Sequence, residues 1–193
     1  LSAGTAKGAA ITLRSVLRHA VRERMIHESP AAGVPLPKVA RQLVVPHSVR
    51  QVRALISEGP EWYAAPLLVG ACCGLRVSEV AGLRADAIDY ERGKLRVVRQ
   101  LVRVTDDGGG AYLWTEPKSA AAVRGVPKPP HLAAASRRHD ERYPGAKVKG
   151  ETALFATRQG GPLNRSLMSD VLGPAADRAG IPGATFHDLR HHY

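Results

Sequence analysis

GLRVSEVAGLRADAIDYERGKL, residues 74–95, carries the strongest structural signals in the sequence. Gly74 ends a nearly all-apolar helix predicted for 61–73, because glycine readily adopts the left-handed backbone that closes a helix. Arg76 follows at the start of a short helix predicted for 77–83, where a side chain can leave the core and reach a ligand. Glu79 lies three residues later on the same side of that helix, and is expected to hold the guanidinium of Arg76 in place.

A second polar motif, FHDLRHHY, occupies residues 186–193. The pattern predicts a helix that begins near Phe186, with His187, Arg190 and His191 on one face. Leu189 points elsewhere and is expected to anchor that helix in the core. The two motifs therefore place basic side chains that can bind a phosphate at opposite ends of one stretch of about 120 residues. A stretch of that length is typical of a single domain.

Between and before these motifs, the chain alternates helical and strand patterns. Ser48 and Gln51 form a capping-box pattern in front of a helix. Val and Arg alternate over 94–104 with one slip, which predicts a strand containing a bulge. The sequence predicts an α+β fold, in which helices surround a small antiparallel sheet. The remaining predicted elements are strands at 112–115 and 123–126 and helices at 131–142 and 166–178.

The N-terminal part differs in composition from the rest. Apolar residues recur at helical spacing over 9–27, and 28–38 carries three prolines typical of a linker. We therefore predict a helical piece over residues 1–38 and a larger domain over 39–193. Along another face of the first helix, basic side chains recur every four residues, at Arg14, Arg18 and Arg22. This basic face either contacts DNA phosphates or is simply exposed to solvent.

The charge of the chain indicates a polyanionic partner. Twenty-eight Lys and Arg residues stand against 17 Asp and Glu, a formal net charge of +11. Most of the basic residues are arginines, whose planar fork of donors matches a phosphate or a guanine edge. Such a domain is a plausible nucleic-acid binder, although arginine richness can also reflect a GC-rich genome. The adjacent Cys72 and Cys73 cannot join distant segments, and no apolar stretch is long enough to span a membrane.

The two motifs together resemble the signature boxes of the tyrosine recombinase (phage integrase) family. The first box, GLR-x-x-E followed by Leu and an Asp-rich turn, is matched at residues 74–89. The second, H-x-L-R-H, is matched by His187, Leu189, Arg190 and His191. Between them the family keeps a lysine on a β-hairpin, for which Lys118 is the candidate and Lys94 and Lys128 are nearby alternatives. Lys128 stands where the family usually has an apolar residue. The resemblance covers nearly the whole chain, and residues 1–38 resemble the last helix and linker of the family's core-binding domain.

The resemblance implies cleavage and rejoining of double-stranded DNA without metal or cofactor. A tyrosine attacks the phosphodiester, which leaves a 3′-phosphotyrosyl bond and a free 5′-hydroxyl. Arg76 and Arg190 would hold the non-bridging oxygens, and Lys118 would protonate the leaving oxygen. His187 would assist proton transfer or hold the phosphate. Glu79 and His191 would support these groups. Arg84 would contact the DNA backbone or be solvated.

The resemblance also implies where the protein acts and that the nucleophilic tyrosine is missing from these residues. Family members act as tetramers on DNA, and we expect a bacterial or phage-encoded protein in the cytoplasm, at the nucleoid, with no membrane partner. The family's nucleophilic tyrosine lies beyond the second box. Tyr193, three residues after Arg190 on the same helix, occupies a position where the family has a packing residue. We therefore expect that these 193 residues lack the nucleophile and are themselves inactive.

Three other readings remain open from the sequence. His187 and His191 stand four residues apart and could share a zinc ion in a hydrolase, but the HExxH glutamate is missing and Arg190 would repel the cation. A non-catalytic DNA-binding regulator could keep the same fold. A type IB topoisomerase uses similar chemistry, although the spacing of the segments is closer to that of integrases.

Overall fold

The computed structural model describes residues 2–39, 45–106, 109–117, 123–127 and 129–191. The chain divides into two compact units, residues 1–44 and residues 45–193. Seven α-helices and seven short strands are found among the described residues, and every strand pairing is antiparallel. This arrangement confirms the predicted α+β class. No helix in the described part of the chain is both long and apolar enough to cross a bilayer.

The first unit is built around helix α1 (Ala3–Arg22). It begins at Ala3 rather than near residue 9, because the Ser2 hydroxyl accepts a hydrogen bond from the Thr5 backbone N–H at 3.1 Å and caps the helix. It ends at Arg22, five residues before the predicted end. The proline-rich segment that follows packs on α1 and lines an apolar groove with Leu13 and Leu17.

The second unit opens with the capped helix that the sequence predicted. In α2 (Val49–Glu58), the Ser48 hydroxyl accepts from the Gln51 N–H at 3.3 Å and the Gln51 side chain accepts from the Ser48 N–H at 2.9 Å. Helix α3 (Glu61–Cys73) follows and is buried along most of its length. The Tyr63 hydroxyl donates to the Met168 carbonyl at 3.0 Å, which joins α3 to a later helix. Gly74 ends α3 with φ of 60°.

The strand predicted for 94–104 is in fact two strands. After the short helix α4 (Val77–Ala81) and a 3-10 turn (Ala85–Ala87), β1 (Ile88–Asp89) and β2 (Lys94–Val97) form a sheet with β5 (Arg124–Pro127) in the order β1-β2-β5. Strand β3 (Gln100–Asp106) instead pairs only with β4 (Gly109–Thr115). The predicted bulge is therefore wrong: the slip in alternation marks the point where the chain leaves one sheet for another.

Three further helices complete the unit, at α5 (Pro130–Arg142), α6 (Arg165–Arg178) and α7 (Phe186–Arg190). Between α5 and α6 lies a hairpin that the sequence did not predict, β6 (Ala146–Val148) and β7 (Glu151–Ala153). Its two-residue turn places Lys149 and Gly150 at φ of 47° and 82°. The Trp114 indole N–H donates to the Val148 carbonyl at 3.0 Å and ties this hairpin to β4.

Helix α7 is held in the core by direct contact with α3. A Cβ atom added at Gly70 would lie 2.5 Å from Cζ of Phe186, the first residue of α7. Phe186 and Leu189 are both buried. The absence of a side chain at Gly70 therefore lets α7 approach α3 closely enough to bury these two residues, and this contact determines where the rest of α7 lies.

Candidate phosphate-binding site

Arg76 is positioned by the break between α3 and α4. Gly74 turns the chain, Leu75 is fully buried, and Arg76 caps α4 with an extended backbone. Its backbone N–H donates to Oε2 of Glu79 at 2.8 Å, and its Nη1 donates to Oε1 of Glu79 at 3.0 Å. The Arg76 side chain remains 53% exposed. Glu79 thus holds both the backbone N–H and one end of the guanidinium of Arg76, while about half of the side chain stays exposed.

Glu79 is the buried centre of the site. Only 2% of its side chain is exposed, and a second arginine, Arg124 on β5, donates to both of its oxygens at 3.1 and 3.0 Å. Burial tends to raise the pKa of the Glu79 carboxyl, but the bonds from Arg124 and Arg76 outweigh burial and place the pKa below its usual range. Glu79 is therefore an ionised carboxylate at neutral pH.

Arg190 reaches the same place from α7. Burial lowers the pKa of its guanidinium, the charge of Arg76 lowers it further, and the charge of Glu79 raises it, so these groups lie within electrostatic reach of one another. The Nη1 atom of Arg190 is buried and has no hydrogen-bond partner among the described residues. Three guanidinium groups thus surround one carboxylate, an arrangement that we call the arginine cluster (Arg76, Glu79, Arg124, Arg190).

The arginine cluster is suited to an anion. Three arginines and one carboxylate leave two uncompensated positive charges, and a buried N–H without an acceptor is expensive unless a ligand supplies one. A tetrahedral phosphate oxyanion offers acceptors at the separation that forked guanidinium donors match. The cluster can therefore bind a phosphate group and stabilise negative charge that develops on its oxygens.

The two histidines of the second motif lie on α7, outside the core. His187 and His191 are both exposed, and their rings pack edge to face with centroids 5.1 Å apart. The helix starts with a second capping box, in which the Thr185 N–H donates to Oδ2 of Asp188 at 2.7 Å. Within the described part of the chain, no three His, Cys, Asp or Glu side chains gather closely enough to hold a metal ion.

The hairpin predicted to carry the general acid is tied to the arginine cluster. Lys118 itself lies outside the described residues, as does Tyr193. The Ser78 hydroxyl on α4 donates to Oε1 of Gln100 at 3.0 Å, and Nε2 of Gln100 donates to the Glu116 carbonyl at 3.0 Å. Glu116, which follows β4 and precedes Lys118 by two residues, is therefore fixed beside the helix that carries Glu79.

The arginines predicted to contact DNA are in different settings. Arg84 is bound by two carboxylates, with Nη2 2.8 Å from Oδ2 of Asp86 and Nη1 paired with Glu151. Arg84 thus holds β7 in place. On α1, Arg14 is half-buried and donates to a backbone carbonyl of the following segment, whereas Arg18 and Arg22 are exposed.

Comparison with known proteins decides the family. The pattern of the phage integrase family matches residues 45–193, which include every member of the arginine cluster. The chain belongs to the phage integrase family. This confirms the family that the two motifs suggested.

Several relatives are identical to the chain at about 30% of the aligned positions. The tyrosine recombinase XerD of Mycobacterium leprae is 32% identical over 216 residues, which cover 100% of this chain and 60% of XerD. The integrase of Mycobacterium phage D29 is 28% identical over 180 residues, which cover 92% of this chain and 47% of that integrase. The chain thus spans about half the length of the curated relatives that it matches.

Solved integrase structures share the fold. The Tn1549 transposon integrase, in complex with a circular intermediate DNA, superposes with a TM-score of 0.82 at 23% identity, over 100% of this chain and 66% of that chain. A lambda integrase dimer bound to a COC′ core site gives a TM-score of 0.66 at 18% identity, over 98% of this chain and 65% of that chain. At these identities the comparisons establish the fold.

Arg124 is the member of the arginine cluster that the sequence did not indicate. It lies on a strand 45 residues after Glu79, so no helical spacing links the two. The available signal was a basic residue two positions before Val126, on a strand whose partner β2 is part of the core. From the sequence alone, an arginine in that position could equally be exposed to solvent or form a buried ion pair. Only the folded structure shows which of the two it does.

Proposed function

We propose that the natural full-length protein is a site-specific recombinase that cuts and rejoins double-stranded DNA by metal-independent transesterification. The observation that carries the proposal is the buried Nη1 of Arg190, which lacks an acceptor among the described residues and lies within electrostatic reach of Arg76. Arg76 and Arg190 bind the two non-bridging oxygens of one phosphodiester. Because charge grows on these oxygens as phosphorus becomes five-coordinate, the clamp stabilises the transition state more than the substrate.

In the proposed reaction, the other site residues transfer protons or support the groups that bind the phosphate. Lys118 donates a proton to the departing 5′-oxygen, and His187 assists proton transfer at the phosphate. Glu79 supports the arginine clamp, and His191 supports His187 through its ring contact. The bond energy is kept in a 3′-phosphotyrosyl intermediate, so that a 5′-hydroxyl can reverse the reaction without an added energy source.

The attacking tyrosine in this proposal is not one of the four tyrosines that the structure describes. Each of the four is engaged in packing or hydrogen bonding: the Tyr63 hydroxyl donates to Met168, the Tyr112 hydroxyl accepts from Asn164, the Tyr90 ring lies 4.4 Å beneath Arg137, and the Tyr143 ring lies 5.1 Å from His139. Tyr193 is placed unfavourably by its position in the motif. We therefore propose that the nucleophile lies outside these 193 residues and that they alone do not cleave DNA.

The proposed partner is double-stranded DNA, bound by a tetramer that acts at the bacterial nucleoid in the cytoplasm. The net charge of +11 supports a long electrostatic contact with phosphates. The solved neighbours bound to integrase substrates, a circular intermediate DNA and a COC′ core site, support the same class of partner.

The proposal is tested by trapping the covalent intermediate. Duplexes that the full-length protein binds are selected from a random-sequence pool, nicked near the recognised site so that cleavage cannot reverse, and incubated with protein. We expect a DNA–protein adduct on a denaturing gel, joined through a tyrosine identified by mass spectrometry. Arg76→Ala should slow adduct formation about 100- to 1000-fold while DNA affinity changes less than about tenfold.

Arg178→Ala is the matched control for this loss of charge. Arg178 is 54% exposed, similar to Arg76, and its guanidinium is bound to Glu58 rather than to the arginine cluster. It should form adduct at the wild-type rate. An unchanged rate for Arg76→Ala would contradict the assigned clamp. Specific DNA binding without any adduct would instead identify a non-catalytic DNA-binding regulator.

A further inference from the structure

The four acceptor positions of the Glu79 carboxylate are all occupied. Oε1 accepts from Nη1 of Arg76 and Nη1 of Arg124, and Oε2 accepts from the Arg76 backbone N–H and Nη2 of Arg124. An ionised carboxylate offers about four lone-pair positions. Arg124 supplies half of these bonds, and its side chain is 27% exposed, about half the exposed fraction of Arg76.

Saturation of Glu79 has a direct consequence for Arg190. Glu79 is the carboxylate whose charge acts on Arg190, yet Nη1 of Arg190 forms no bond with it and has no partner among the described residues. A buried N–H donor normally takes any acceptor within reach, because leaving it unsatisfied is unfavourable. The filled Glu79 carboxylate therefore leaves no acceptor position for the buried Nη1 of Arg190.

We infer that Arg124 is a positioning residue, which occupies Glu79 and thereby keeps Nη1 of Arg190 available to the DNA phosphate. This inference rests on the proposed function. Without Arg124, two acceptor positions on Glu79 open beside Arg190, and Arg190 turns to fill them. The phosphate then loses one of its two clamping guanidinium groups, although Arg190 itself is unchanged.

A direct role for Arg124 at the phosphate fits the contacts less well. Both of its terminal nitrogens already donate to Glu79, in a bidentate pair with a carboxylate that is almost fully buried. Breaking such a pair leaves a buried charge uncompensated, which costs several kcal/mol. The phosphate is therefore expected to meet Arg76 and Arg190, with Arg124 behind Glu79.

The experiment compares Arg124→Met and Arg124→Lys with the wild-type full-length protein on the nicked duplex described above. Arg124→Met should reduce the single-turnover rate of adduct formation about 10- to 100-fold, the range found when a residue that orients a ligand is lost. The Kd for DNA should change less than about threefold, because the many backbone contacts are intact. Arg124→Lys keeps the charge but not the fork, and should give an intermediate rate.

Two readouts separate positioning through Glu79 from a general loss of structure. First, Glu79→Gln combined with Arg124→Met should be no slower than Glu79→Gln alone, since Arg124 acts through Glu79. Second, the acidic limb of the rate profile should move to higher pH in Arg124→Met. Arg76 and Arg124 lower the pKa of the Glu79 carboxyl, and the charge of Glu79 also acts on Arg190, so losing Arg124 while burial stays raises the pKa of the carboxyl.

The outcomes are distinguishable. A wild-type protein that forms adduct, with Arg124→Met or Arg124→Lys at the wild-type rate, overturns this inference and leaves the proposed function intact. Additive losses in the double variant also overturn it, because they place Arg124 in direct contact with substrate or in a separate structural role. A wild-type protein that binds the selected duplex and forms no adduct overturns the proposed function and this inference together. If Arg124→Met does not fold, Arg124→Lys decides alone.

Discussion

Gly70→Ala should reveal how closely the core controls the arginine cluster. The added Cβ would lie 2.5 Å from Cζ and 2.8 Å from Cε1 of Phe186. Carbon atoms in contact sit about 3.5–4.0 Å apart, so the overlap is roughly 1 Å. Within a helix, alanine is favoured over glycine by about 1 kcal/mol, whereas overpacking a core costs about 1–3 kcal/mol. Because Phe186 is buried and cannot swing into solvent, we expect the cost to lie in the upper half of its range, for a net loss of about 1–2 kcal/mol.

The same substitution should slow catalysis more than it weakens binding. Phe186 begins α7 and Arg190 lies one turn later, so a displaced ring moves the clamping guanidinium. A misplacement of about 1 Å in an active site can cost on the order of 100-fold in rate. Urea unfolding measures the stability change, and single-turnover adduct formation by the full-length protein measures the rate. The midpoint should fall at unchanged m, which indicates altered stability rather than an altered unfolded state.

Two comparisons make the Gly70 prediction refutable. Gly8→Ala adds the same methyl group to α1, where no atom lies within 4 Å, and should leave both the unfolding midpoint and the adduct rate unchanged or slightly higher. In a Phe186→Leu background, Gly70→Ala should cost at least about 1 kcal/mol less, because the overlapping ring is gone. If Gly70→Ala alone proves as harmless as Gly8→Ala, α7 does not rest against Gly70 and the reasoning fails.

Two further predictions concern stability and DNA binding. Burial lowers the pKa of His139 below its ordinary 6.5, and Nε2 has no hydrogen-bond partner among the described residues. Its contribution to stability is therefore full above about pH 6.5 and falls as pH drops below that value, since the unfolded chain binds the proton more readily. Urea midpoints should show a smaller loss between pH 7 and pH 5 for His139→Phe than for wild type; an equal loss would contradict this. Separately, Arg18→Ala should reduce the slope of log K against log salt by about 1, whereas Arg178→Ala should not, and equal slopes would remove α1 from the DNA contact.

Local signals in the sequence predicted local structure well. The Ser48–Gln51 capping box and the glycine stop at Gly74 both appear as expected, because each depends on neighbours within a few residues. The start of α1 was missed because its cap, Ser2, precedes two glycines that suggest an irregular segment. The hairpin around Lys149 was missed because its strands are only three residues long and its turn needs a non-glycine residue at positive φ.

The site was only partly predictable for a related reason. The family motifs indicated Arg76 and Arg190, and the structure brings both within electrostatic reach of Glu79. Arg124 depends on a strand pairing between β2 and β5 that brings residues nearly 50 positions apart into contact with one carboxylate. Which residue pairs with a buried charge depends on how the core packs. The spacing of apolar residues along the sequence does not reveal that packing.

The composition of the arginine cluster also suits the proposed binding of a phosphate without a metal ion. One carboxylate among three guanidinium groups is sufficient to hold Arg76 and Arg124 in place but leaves Arg190 partly desolvated and unsatisfied. Such a centre is less stable empty than filled, because the uncompensated charge and the buried donor are both relieved by an anion. A second carboxylate would stabilise the empty fold and satisfy Arg190, yet it would compete with the phosphate for the same donors. In the proposed function, the single glutamate therefore lets substrate binding, rather than folding, complete the hydrogen bonding of the site.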